Sequence, residues 1–253
     1  MEQPGTSAHL TGAVQDLASQ VVSALRSGDH CAVLGTATGP AGTYDLDTEN
    51  ENDPEFDPRS DITLAAVRVL GADVMLPGVL YGRPPVPEDV AVFEKAVLAF
   101  PPAPGASPAS RWSHWGMVRA LSALDGSAAS PAATAPAGGA EPDADWLAGA
   151  PWQVLTHQLA VLASLAVPGT DCAVRRAAQD RPVDVARGFV RAVRRRDWLQ
   201  AAGAGRWLVL LDGVPATLGL DTGLEFVSHM GGDDPRVALH LRAALLTRGG
   251  ARV

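Results

Sequence analysis

Residues 207–220 read WLVLLDGVPATLGL, and the fold class turns on whether this stretch is strand or helix. Asp212-Gly213 suits the type I′ turn of a two-residue hairpin, because both central positions of that turn need positive φ. The dipeptide sits between apolar runs, so the pattern predicts a hairpin of 207–211 and 214–220, with 224–228 as a third strand.

Working outward, helical spacing takes over on both sides. Trp152, Leu155, Leu159, Leu162 and Ala166 mark an apolar helix that ends near Pro168-Gly169. Arg181-Pro182 opens another, running to about Ala202, with Ala186, Phe189, Val190 and Val193 on its inner side. Asp234-Pro235 caps a last helix to about Leu246. In the first half, Leu10, Val14, Leu17, Val21 and Leu25 define a helix with Thr6 or Ser7 as cap and Gly28 as stop. Strands are expected at 30–36 and 43–46 around a Gly-Pro-Ala-Gly turn, and again at 62–70 and 73–81. Helix is the rival reading for 62–70, since Ala65, Ala66 and Arg68 tolerate it. Pro87 starts a helix with Val90, Phe93, Val97 and Phe100 as its stripe, and 110–124 is another helix.

The expected architecture is therefore α+β in two lobes, each with helices packed on a small antiparallel sheet. The N-terminal lobe is 1–125 and the C-terminal, helix-rich lobe is 143–253. Between them, 126–142 contains only Gly, Ser, Ala, Pro, Thr and Glu141 and reads as a linker or surface excursion. Trp112 and Trp115 before it, with Trp146 and Trp152 after it, either pack the two arms together or form a docking patch, since Trp is enriched at binding hot spots.

The chain has 253 residues and a net charge of −8, which disfavours a general nucleic-acid binder. Seven carboxylates fall on alternate residues, Asp45, Asp47, Glu49, Glu51, Asp53, Glu55 and Asp57. On an extended chain these share one side, where neighbours roughly 7 Å apart repel by about 0.6 kcal/mol in water. Pro54 and Pro58 stop strand pairing, so 45–61 is expected to be an acidic loop. Counted as an EF-hand loop from Asp45, it places Asn50 where Gly is required and Phe56 where Glu is required, and no metal site is assigned. The basic counterpart lies at 175–206, with nine arginines against three aspartates. There Arg187, Arg191, Arg194 and Arg195 share one helical face.

The sequence contains no Walker A, GxSxG or HExxH motif. The remaining candidates are His114 between two tryptophans, and a set made of Asp212, His229, Asp233 and Asp234. His157, on an apolar helix, is expected in or beside the core. Neither a secretory signal nor an apolar run long enough for a bilayer is seen, and the two cysteines, Cys31 and Cys172, lack metal spacing. The sequence thus points to a cytoplasmic, soluble interaction or accessory protein of the adaptor type. Its surfaces would be the acidic loop (Asp45, Asp47, Glu49, Glu51, Asp53), the Arg helix face (Arg187, Arg191, Arg194, Arg195) and the Trp cluster (Trp112, Trp115). A protein partner is expected and an anionic one fits; no membrane and no cofactor is implied, and a homo-oligomer is compatible. The alternative is a carboxylate-based or metal-assisted hydrolase near 229–234.

Overall fold

The computed structural model describes residues 4–28, 33–34, 58–125 and 140–250. Every regular element among the described residues is helical, so the α+β expectation is overturned. In chain order the α-helices are α1 (Pro4–Ser27), α2 (Pro58–Leu70), α3 (Leu76–Tyr81), α4 (Pro87–Ala99), α5 (Pro108–Asp125) and α6 (Asp145–Ala148). There follow α7 (Trp152–Val161), α8 (Ala173–Gln179), α9 (Pro182–Arg194), α10 (Trp198–Leu208), α11 (Leu220–Gly231) and α12 (Pro235–Gly250). Short 3-10 turns at Gly71–Met75, Ala163–Leu165 and Ala216–Leu218 join some of them.

The expected hairpin at 207–220 fails because Trp207 and Leu208 close α10 instead. Residues 201–208 of that helix are all buried, and a helix surrounded by protein needs no polar face, so its sequence carries no period of its own. Trp207 Nε1 donates to the Leu159 carbonyl at 2.6 Å, fixing α10 against α7. Asp212-Gly213 does form a turn, with Gly213 at φ +74°, where an L side chain would be strained. That turn joins a helix to a 3-10 turn and is held by Gln179, whose Oε1 accepts from Asp212 N–H at 3.2 Å.

The other expected strands give way similarly. Residues 62–70 lie in α2, 73–81 run through a 3-10 turn into α3, and 224–228 lie inside α11. The strands predicted at 30–36 and 43–46 lie outside the described residues, apart from Val33 and Leu34, which are in a turn. Asp89 holds that turn, its carboxylate accepting from Val33 and Leu34 N–H at 2.7 and 2.8 Å. Asp61–Tyr81 is the one stretch among the described residues with the length and apolarity to cross a membrane, and half of its most apolar window is buried inside the fold. The expected linker likewise lies outside, except for residues 140–142.

Two hydrophobic cores result. The first gathers Leu17, Val21 and Leu25 of α1 with Val67 of α2, Phe93 of α4 and Leu121 of α5. The second gathers Trp112 of α5, Leu159 of α7, Phe189 of α9, Trp207 of α10 and Val227 of α11. Helix α12 serves both, with Leu239 and Ala243 in the first and Val237 and Leu241 in the second. A fully buried ion pair bridges them: Arg206 Nη1 lies 2.7 and 2.9 Å from the two oxygens of Asp73.

Helix α9 also ends earlier than expected. Arg196 sits at φ +59°, its N–H donating to Val193 O at 3.0 Å while Asp197 N–H donates to Ala192 O at 3.0 Å. This is a Schellman cap with arginine where glycine is usual. Asp197 then caps α10 by accepting from Gln200 N–H at 3.2 Å.

Candidate functional site

The outer face of α9 carries a dense positive charge, with five arginines and no acidic residue between positions 187 and 196. Its orientation follows from packing. Val185, Ala186, Gly188, Phe189 and Ala192 are buried, which leaves Val183, Arg187, Val190, Arg191, Arg194 and Arg195 outside.

Three local features place an aromatic ring on this face. Pro182 begins the helix where its missing N–H is not needed. Just before it, Arg181 donates through Nε and Nη2 to Asp184 Oδ2 at 2.9 and 2.6 Å, and through Nη1 to the Ala148 and Ala150 carbonyls at 3.2 and 2.6 Å. The segment so held leads directly into Trp152, the first residue of α7. Deeper in, Gly188 faces Thr156 with no room for a Cβ, so α7 and α9 approach closely. The indole of Trp152 consequently lies beside the guanidinium groups of Arg187 and Arg191, 5.8 and 5.5 Å from its centroid. At such exposed positions a cation–π contact contributes about 0.5–1 kcal/mol.

The opposite wall is the 3-10 turn, through Pro215, Thr217 and Leu218, and the groove between the walls holds about 660 Å³. A second, polar cleft of about 320 Å³ also borders Trp152; it is lined by Gln153, His157, Asp197 and Gln200 and shares Arg191 and Arg195 with the first. His157 Nδ1 lies 3.4 Å from Gln200 Oε1. It is exposed, whereas its apolar helix had suggested a place in or beside the core.

Little neutralises these arginines. Arg187 meets Asp184 at 3.5 Å, whereas Arg191, Arg194 and Arg195 have no carboxylate within 4.0 Å among the described residues. A guanidinium presents paired donors to a carboxylate or phosphate, and the groove adds the exposed aliphatic chains of Val183 and Val190. The groove thus sets guanidinium donors beside exposed aliphatic surface.

The other described residues singled out from sequence do not join this groove. Asp45, Asp47, Glu49, Glu51 and Asp53 lie outside the described residues. Trp112 is wholly buried and donates from Nε1 to the Asp143 carbonyl at 3.0 Å; Trp115 packs edge-on to it at 5.1 Å. The bond from Trp112 ties the chain after 126–142 to α5, and Trp146 donates to the same carbonyl locally at 3.1 Å. His114 is buried beside the Val97 carbonyl at 3.3 Å, and burial moves its pKa down.

The carboxylates near 229–234 do not gather around a cleft described here. His229 Nδ1 faces Glu225 O at 2.9 Å on an exposed surface, and Asp212 and Asp233 are exposed on separate turns. Asp234 binds Arg236 through both oxygens, at 3.1 and 2.7 Å. Burial alone would raise its pKa, but the hydrogen bonds and charge of Arg236 outweigh it and hold the carboxyl below its ordinary value. Among the described residues no three His, Cys, Asp or Glu side chains are grouped to hold a metal.

No protein-family model matches the chain, and no curated protein or solved structure matches it.

Proposed function

We propose that this is an interaction protein of the adaptor type that docks an anionic partner on the outer face of α9. The observation that carries the reading is the set of Arg191, Arg194 and Arg195, none of which has a carboxylate partner among the described residues, ranged along a groove with Trp152 at its edge. Apart from the contact of Arg191 with Trp152, these exposed like charges repel one another and add little to stability. Their use lies in attracting an opposite charge. The affinity expected of such a face is salt-dependent, because guanidinium–carboxylate pairs at an exposed surface are screened within about 10 Å at 0.1 M salt.

The test is isothermal titration of the full chain with poly-L-glutamate at low salt. The reading expects binding that weakens as salt rises and that is largely lost in the Arg191→Gln/Arg194→Gln/Arg195→Gln variant. Equal binding by that variant would remove the α9 face from the account.

A further inference from the structure

Two compartments meet at Trp152, Arg191 and Arg195, and they differ in chemistry. The larger is floored by aliphatic side chains: Val183 and Val190 are 52% and 41% exposed, while their neighbours Val185 and Phe189 are buried. The smaller is polar, lined by Gln153, His157 and Gln200 and by the carboxylate of Asp197, so the room for a foreign anion lies along the arginines of the larger. A ligand that satisfies both needs carboxylates for the guanidinium rim and an apolar side chain for the floor.

We infer that the occupant is an acidic segment of a partner protein carrying a bulky aliphatic or aromatic side chain among its Asp and Glu residues, an inference that rests on the docking reading above. Charge complementarity supports it directly. So does size, since the 13 residues of α9 span about 20 Å, the length of roughly six residues of extended peptide. A nucleic acid fits less well. Single strands bind by stacking bases on free aromatic faces, and the Trp152 ring is attended by Arg187 and Arg191. A lipid surface also fits less well, because the exposed valines line a groove and do not form the broad apolar face by which a helix enters a bilayer interface.

The experiment is fluorescence polarisation with the full chain and two short fluorescein-labelled peptides of equal negative charge, one with a central Leu and the other with Ser in its place. The Leu peptide is expected to bind about tenfold more tightly, the effect of burying one aliphatic side chain. That advantage should vanish in Val190→Ser/Leu218→Ser, checked for folding by circular dichroism, while the Ser peptide binds this variant as it binds the parent. Equal, salt-sensitive binding of both peptides to the parent would overturn the acidic-apolar peptide and leave anionic docking standing. Tighter binding of phosphatidylserine vesicles or of a charge-matched single-stranded oligonucleotide would do the same. If neither peptide binds, or if both bind an Arg191→Gln/Arg194→Gln variant unchanged, the inference and the docking reading both fall.

Discussion

The ion pair between Asp73 and Arg206 gives the sharpest test of how the two cores are joined. Asp73 belongs to the 3-10 turn beside Val74 and Met75 of the first core, and Arg206 precedes Trp207 and Leu208 of the second. Their side chains are 4% and 0% exposed. Arg206 Nη1 donates to both Asp73 oxygens and Nε donates to the Ala166 carbonyl at 3.1 Å, while Nη2 has no partner among the described residues. Opposite charges about 4 Å apart attract by about 4 kcal/mol at an effective dielectric of 20. Removing one partner leaves the other buried and unpaired, which costs about 3–5 kcal/mol. Asp73→Ala should therefore lose that much in urea unfolding followed by circular dichroism, a large fraction of the roughly 5–15 kcal/mol of a typical fold. Asp73→Ala/Arg206→Met, with both charges gone, should recover at least half of the loss, since a buried pair can be replaced by apolar groups at little cost. A single-variant loss below about 1 kcal/mol, or a double variant as unstable as the two singles added together, would refute the reasoning.

Other consequences are open to measurement. Burial lowers the pKa of His240 from 6.5 to about 4, with Asp73 opposing and Arg206 and Arg236 assisting the shift. The unfolded chain then binds a proton that the folded one refuses, so stability is full above pH 6.5 and falls by up to about 3 kcal/mol as pH drops towards 4. His240→Gln should flatten most of this slope, with His114, also held low by burial, among the groups that contribute the rest; an unchanged slope would contradict the assignment. Arg196→Gly should raise stability by about 1 kcal/mol, because glycine occupies the left-handed conformation without the cost of a side chain, and a loss in thermal unfolding would speak against that backbone. Deleting residues 47–58 removes six of the seven alternating carboxylates, which on the docking reading compete with an added polyanion for the arginines. Poly-L-glutamate should then bind several-fold more tightly at low salt, and unchanged affinity would exclude such competition.

The sequence made some features plain and concealed others for physical reasons. Pro87, Pro182 and Pro235 stand at helix starts because a first-turn residue needs no N–H donor. Arg187, Arg191, Arg194 and Arg195 fall on one face by spacing alone. The strand readings at 62–70, 207–211 and 224–228 went wrong where apolar residues are buried inside a helical assembly, since local propensity for β-branched and large residues yields to packing. Asp212-Gly213 advertised a turn correctly but could not say what the turn connects. The break at Arg196 carried no glycine or proline to announce it. Trp152 was legible only as a core or patch residue, because its place in the groove depends on the contact between Gly188 and Thr156 and on Arg181 reaching Ala148 and Ala150. The pairing of Asp73 with Arg206, 133 residues apart, left no local mark at all.

Side-chain NMR of the arginine Nε–Hε groups during titration with an acidic peptide reports which guanidiniums meet the partner. The account predicts that Arg187, Arg191, Arg194 and Arg195 shift first and together, while buried Arg206 stays where it is. Shifts confined to arginines elsewhere, such as Arg26, Arg83 or Arg248, with the α9 signals unmoved, would contradict it.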